Sequence, residues 1–576
     1  MTAKRRADAP PGRLPGVRIT RDSEMLTRDG TVLMADVYEG RGRPRCPVLL
    51  VRTAYNKNNS PNHYNVERLV RAGYIVVIQD VRGRYRSEGE YSSYIGFVNG
   101  EAEDGYDAVE WAAGLPGSNG AVGGLGSSYD AWLIWKYAAL RPPSLRAMFA
   151  YSEPARYTAL EGPGTIRPGR RLHWAANSIA PDSRRRGGKP GSHTPEEAER
   201  EWHTTDRGKW LWFLPWKDMP RYVLEPFYDD FRIWLRDPRR DPWQLDRGHR
   251  EIELPNMHIT GWYDHCISCL EHFTGMVKNG KSEAARKDQK LIIGPWNHTD
   301  LGKRMVGKVD FGPQAELDIG GLALRWFDHH LKGIQNGVDS EPTVRFFVMG
   351  ENRWKSASGW PLARHKQVSL FLGSDGKANN PLGDGRLSSK PSSSERWDAY
   401  AYDPRDPVMS LYGDEMYTEP TDQRPLAHRE DILVYQTERL AEELEVTGSP
   451  QVAIHASSSA PDTDFFARLI DVQPDGEARD LTAGMVRARY RSSLERPLLL
   501  IPGEVTLFSI SLGPVSNLFK KRHRIRVDIT SSDFPNFDRN HNAGRDDNSD
   551  STLVVANQRI YSGGRYPSRL ILPISG

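Results

Sequence analysis

Cysteine is scarce in this sequence: Cys46, Cys266 and Cys269 are the only three among 576 residues. So few exclude a disulfide framework as the source of stability. No apolar run approaches the roughly 18 residues of a membrane span, so no membrane partner is expected. Charge of one sign is not in excess either, since 78 Lys and Arg stand against 75 Asp and Glu, a net of +3. That balance argues against a nucleic-acid partner, which needs a concentrated basic face. The opening MTAKRRADAPPGRLPG is basic but has no apolar segment behind it. Residues 1–16 therefore read as a flexible arm rather than a secretory signal, and a cytoplasmic location is expected.

What is present suits a large globular chain. Length alone predicts roughly three or four domains. Sixteen Trp, 23 Tyr and 17 Phe supply bulk for cores and for an aromatic-lined pocket. From residue 17, apolar β-branched runs recur at 31–37, 47–52 and 74–79, as in strands buried on both faces of a mostly parallel sheet. Helical periods alternate with them in NVERLVRAG and EDGYDAVEWAAG. This β-α-β rhythm breaks between 153 and 253, an aromatic-rich stretch without clear strands. There Thr194 suits a helix N-cap, Pro195 the first helical position, and Glu196 and Glu197 its positive end. The rhythm resumes from 254 to 352 and includes a helix expected over HCISCLEHFTGMVKNG. From 353 to 576 short alternating strands such as HRIRVDI replace helices, which reads as an all-β jelly-roll sandwich.

The chemistry starts at Gly126-Ser127-Ser128-Tyr129-Asp130-Ala131, where a strand meets a helix. A nucleophile elbow needs a serine on such a turn, with small residues around it so that strand and helix can approach. Asp130 stands where G-x-S-x-G has its second Gly, and Ala131 follows it. A plain Gly/Ser turn fits the hexapeptide equally well. Ser128 has Gly126 two places before it; Ser127 has Leu125 there, which makes Ser127 the weaker candidate. A serine also needs a base held by an acid. Asp264 follows the strand-like HITGWY and His298 follows KLIIGPWN. Each alone reads as an ordinary loop residue. Together they match the order Ser, Asp, His, each after a strand, of α/β-hydrolases.

The stretches VRTAYNK, VVIQDVRGRYRSEGEY, VGGLGSSYDAW, ITGWYD, LIIGPWNH, RWFDHHLKG, SSSAPDTDFFARLIDVQPDG and SSDFPNFDRN resemble the bacterial cocaine esterase family, which includes X-Pro dipeptidyl-peptidases and α-amino-acid ester hydrolases. The resemblance runs from about residue 20 to the C-terminus. It implies an α/β-hydrolase catalytic domain (17–152 and 254–352), an inserted helical cap (153–253) and a C-terminal jelly roll (353–576). It also implies Ser128 as nucleophile, Asp264 as acid and His298 as base. The Tyr55 hydroxyl and the Tyr129 N–H would form the oxyanion hole. No cofactor and no resident metal follow from it.

Weaker signals remain. Cys266-x-x-Cys269 has a metal or redox spacing, but zinc needs two further ligands and there is no second such pair. Both cysteines are expected along one face of the helix after Asp264. His329 and His330 read as structural, and the acids of PDTDFF as turn and strand caps rather than calcium ligands. Trp174, His265 and Cys266 are candidates to line the substrate pocket. In the amino-ester hydrolases an acidic pair follows the catalytic Asp and holds the substrate ammonium. Here the stretch is HCISC, with no acid before Glu271. A neutral acyl ester is therefore the expected small-molecule substrate. Glu153 and Glu161 keep a short-peptide, dipeptidyl-peptidase reading open, and a non-catalytic binding protein is the remote alternative. The sequence is compatible with a homo-oligomer.

Overall fold

A computed structural model describes residues 16–42, 44–91, 100–162, 164–226, 228–237, 241–363, 365–413 and 418–575. The arm expected over 1–16 lies, but for Gly16, outside them. Ten strands form the first sheet: β1 (Val17–Leu26), β2 (Val32–Gly40), β3 (Cys46–Thr53), β4 (Ile75–Asp80), β5 (Ser118–Ser127), β6 (Leu145–Tyr151), β7 (Asn256–Tyr263), β8 (Gln289–Asn297), β9 (Val344–Val348) and β10 (Arg353–Ala357). Their spatial order is β1-β2-β4-β3-β5-β6-β7-β8-β9-β10. From β4 through β9 neighbouring strands run parallel, while β1, β2 and β10 are antiparallel additions at the two edges.

Every residue of β3 and β4 is buried, as continuous β-branched runs require when both faces are covered. The strand period of two divides them between two cores. Leu49, Val51, Val76 and Ile78 face helices α1 (Val66–Arg71) and, further along the chain, Ile319–Lys332. Val48, Leu50, Ile75 and Val77 face α2 (Glu101–Ala113) and α3 (Tyr129–Ala138). Where β6 meets β7, the Asn256 side chain replaces part of the ladder, accepting from Ala150 N at 2.9 Å and donating to Ala150 O at 3.0 Å.

Between β6 and β7 the described chain is helical, including α4 (Pro168–Trp174) and the segment Pro195–Glu201. Thr194 caps the latter in a full capping box with Glu197. Trp202, Trp210 and Trp216 are buried and form core. Arg84, fully buried, ties this cap to the sheet by donating to Ala54 O (3.0 Å) and Ile179 O (2.8 Å).

The second sheet gathers strands from Lys366 to Ile574 into an all-β domain whose only helical pieces, among the described residues, are short 3-10 turns. The first sheet runs past the boundary expected at 352. The chain turns back after Val348, and β10 pairs antiparallel with β9 from Val348↔Arg353 to Val344↔Ala357. The two sheets meet through Tyr263, which donates to Asp480 O at 2.8 Å. The SSDFPNFDRN loop packs on the cap, where Gly169 N donates to Pro535 O at 2.8 Å and Phe534 lies 4.7 Å from the Trp212 ring.

Candidate active site

Five neighbouring parallel strands, in the spatial order β3-β5-β6-β7-β8, end in polar side chains at one edge of the sheet. Ser128, Ser152, Asp264 and His298 each stand one residue beyond a strand, and Tyr55 stands two beyond. Carboxyl ends of parallel strands are where such sheets assemble their sites.

Ser128 occupies a strained turn, with φ 53° and ψ −126°, between β5 and α3. Left-handed backbone is costly for serine and lifts its side chain off the strand line. Gly126 makes the turn possible, since a Cβ there would sit 2.7 Å from the Asp130 carbonyl carbon and 2.9 Å from Ala131 N. Asp130, where the motif has its second Gly, turns away and accepts from Tyr64 Oη at 2.7 Å. Burial pushes its carboxyl up to about 7, against hydrogen bonds from Tyr64 and Thr53.

His298 Nε2 lies 3.0 Å from Ser128 Oγ, and Nδ1 lies 2.9 Å from Asp264 Oδ1. The Asp264 side chain is fully buried. Its Oδ1 also accepts from Cys266 N at 2.8 Å, and its Oδ2 accepts from Ser152 Oγ and from Thr260 Oγ1 at 3.2 Å. Burial opposes its charge, but His298 and these donors outweigh burial and hold the carboxyl below its ordinary value. An ionised Asp264 fixes the imidazole with its proton on Nδ1, which leaves Nε2 to accept from serine. Two glycines permit the strand ends to approach: a Cβ at Gly261 would sit 2.0 Å from Trp296 O, and one at Gly294 would sit 2.3 Å from the Trp296 ring.

Ser127, the rival candidate, points elsewhere, with Oγ 3.2 Å from His63 Nε2. Tyr55 is half-buried, and its hydroxyl oxygen accepts from Trp174 Nε1 at 2.9 Å. Its ring meets Tyr129 edge-on at 5.8 Å, and Tyr129 in turn stacks on Trp174 at 6.5 Å. Tyr129 opens α3, so its N–H points out of the helix start on the side of Ser128.

His265 packs its ring 4.2 Å from that of His298, and Cys266 is buried beside Asp264. The regular helix expected from His265 begins only at Leu270. Asp264 draws the chain into a turn first, through Cys266 N to its side chain and Ile267 N to its carbonyl. Cys266 caps, and Cys269 ends, the single 3-10 turn Ile267–Cys269, so the pair flanks that turn ahead of the regular helix rather than lining the helix itself. His330 packs 4.2 Å from Trp326 on the helix Ile319–Lys332, away from the strand-end cluster. The PDTDFF acids are held by arginines: Asp462 by Arg489 (2.7 Å) and Asp464 by Arg487 (2.9 Å).

Ser152 is the residue that motif reading missed. It follows β6 with φ 55°, donates to Asp264 and lies 3.1 Å from His298 Nδ1. A polar residue one place beyond a buried strand of the same sheet was the available signal.

The fold and this arrangement define a serine hydrolase of the α/β-hydrolase class. The X-Pro dipeptidyl-peptidase (S15 family) model matches residues 29–300, and the X-Pro dipeptidyl-peptidase C-terminal non-catalytic domain matches 336–571. Cocaine esterase of Rhodococcus sp. (strain MB1 Bresler) is 34% identical, over 95% of this chain and 97% of its own. Among solved structures, an aminopeptidase from the marine sediment archaeon Thaumarchaeota archaeon superposes with TM-score 0.76 at 24% identity, over 100% of both chains. An α-amino acid ester hydrolase does so with TM-score 0.74 at 22% identity, over 98% of both. The chain belongs to the cocaine esterase and X-Pro dipeptidyl-peptidase (S15) family of hydrolases. Among the described residues no helix is long and apolar enough to cross a membrane.

Proposed function

We propose that the protein hydrolyses neutral carboxylic esters through an acyl-enzyme on Ser128. The observation that carries this reading is the relay Ser128–His298–Asp264, with contacts of 3.0 and 2.9 Å. Ser128 Oγ attacks the acyl carbonyl as its proton passes to His298 Nε2. Asp264 stabilises the imidazolium that forms. The Tyr55 hydroxyl and the Tyr129 N–H donate to the developing oxyanion, and His298 returns the proton to the departing alkoxide. Water, deprotonated by His298, then releases the acid. Trp174, His265 and Cys266 lie around these groups and are assigned to the pocket wall.

The ester preference rests on charge. An α-amino acyl or X-Pro substrate brings an ammonium that needs an ionised carboxylate nearby. Glu153, the candidate for that task, is buried, and burial together with the neighbouring Asp264 pushes its carboxyl well above the ordinary value. Its charged form is disfavoured there, which makes it a poor counter-charge for an ammonium. The side chain of Glu161 lies outside the described residues. The test compares p-nitrophenyl acyl esters with Gly-Pro-p-nitroanilide on one enzyme preparation. The ester is expected to give the higher kcat/KM, and faster turnover of the dipeptide substrate would make the protein a dipeptidyl-peptidase instead.

A further inference from the structure

Asp264, His265, Cys266 and His298 each offer one ligand atom, and all four atoms lie within 4.8 Å of one another. Two imidazoles, a thiolate and a carboxylate make a set that soft and borderline divalent ions prefer, zinc above all; magnesium and calcium take oxygen ligands instead. Around a tetrahedral zinc, N, O and S ligands stand about 3.3–3.8 Å apart. The His298 Nδ1 to Asp264 Oδ1 separation is 2.9 Å and His265 Nδ1 to Asp264 Oδ1 is 3.9 Å, so small side-chain shifts reach that geometry. Hydrolysis by the proposed route uses neither the Cys266 thiol nor the His265 imidazole as acid or base.

We infer that this cluster is an inhibitory zinc site, in which Zn²⁺ enters between His298 and Asp264 and is held by Cys266 and His265. The charges close, since thiolate and carboxylate together neutralise the ion. On binding, the Cys266 proton leaves to solvent and zinc takes the Nδ1 lone pair of His298. The imidazole proton moves from Nδ1 to Nε2. That tautomer donates toward Ser128 Oγ and cannot take its proton, so hydrolysis stops while the fold is kept. Arg170, Arg167 and Arg171, whose positive charge reaches His265, oppose the ion, and Glu153, whose charged form burial disfavours, does little to offset them. The binding claim stands on the ligand cluster; the inhibition claim rests on His298 being the general base.

The test is calorimetric titration of Zn²⁺ into the full chain, followed by activity assays at the same occupancies. One equivalent is expected to bind, with ester hydrolysis lost in proportion and restored by EDTA, while Mg²⁺ does neither. Cys266→Ser and His265→Ala are each expected to weaken zinc binding at least about tenfold, with inhibition referred to each variant's own metal-free rate. Co²⁺ in the wild type should show thiolate-to-cobalt charge transfer, a readout independent of any variant's folding. Absence of stoichiometric binding, affinity unchanged in both variants, or cobalt without thiolate character would overturn the site. One equivalent bound through Cys266 with full activity retained would refute the inhibition and the role of His298 as base.

Discussion

Replacing Tyr55 by phenylalanine removes one hydroxyl and little else. In the proposed mechanism that hydroxyl is one of two oxyanion donors. Its oxygen already accepts from Trp174 Nε1 at 2.9 Å, which leaves its own proton to aim at another acceptor. The Tyr55 ring is held edge-on by Tyr129 at 5.8 Å, so a phenylalanine ring keeps the same seat. Loss of one such donor raises the barrier by about 2.7–4 kcal/mol, a fall of about 10²–10³-fold in kcat. KM should move little, because a ground-state carbonyl gains less from the donor than the oxyanion does. The Trp174 N–H loses its acceptor, at about 1–3 kcal/mol of stability if water cannot replace it. Steady-state hydrolysis of p-nitrophenyl butyrate, with a thermal melt beside it, separates these effects. A fall in kcat below about threefold, or a change confined to KM, would refute the role given to Tyr55.

Two further predictions use the buried polar groups. Ser152→Ala takes a donor from Asp264 and should destabilise the protein by about 1.5–3 kcal/mol at pH 7 by urea unfolding. Because the Asp264 carboxyl is held below its ordinary value, the stability it contributes is complete above pH ~3.9 and is lost as pH falls through the lower folded value. The gap between wild type and variant should therefore narrow as pH falls below ~3.9, and a gap independent of pH would contradict the argument. Trp135 stacks on His272 at 3.9 Å, and His249 Nε2 lies 2.8 Å from His272 Nδ1. Burial pushes His249 down to about 4 and His258 to about 3. Both stay neutral in the fold while the unfolded chain protonates, so stability should be fully present above pH ~6.5 and fall toward pH ~4 by about 1.4 kcal/mol per pH unit for each histidine. Substituting His258 by Gln should flatten that slope by one proton, and an unchanged slope would show that His258 is protonated in the fold.

Much of the site was legible because strand ends are legible. Runs such as YIVVIQ and LIIGPW mark buried strands by composition alone, so the polar residue after each becomes a candidate, and Asp264 and His298 were found in this way. Ser152 was not, because SEP after β6 carries no motif, and its value comes from β7 lying alongside. The same holds for the stacking of His265 on His298 and for the histidines around Trp135. These contacts join residues far apart in sequence, and no local period encodes them. The helix expected from His265 began late for a similar reason: the Asp264 side chain takes the Cys266 N–H, a bond that helical periodicity does not register. Residues 353–357 read with the β domain because an alternating strand looks the same in either sheet, and only the pairing of β10 with β9 decides.

The central claim, that Ser128 is the nucleophile, is tested most directly by labelling the intact protein with a fluorophosphonate and mapping the adduct by peptide mass spectrometry. A single phosphonyl group is predicted on Ser128, absent in Ser128→Ala and much slowed in His298→Ala. An adduct on Ser127, or no adduct on a protein that still hydrolyses esters, would contradict it.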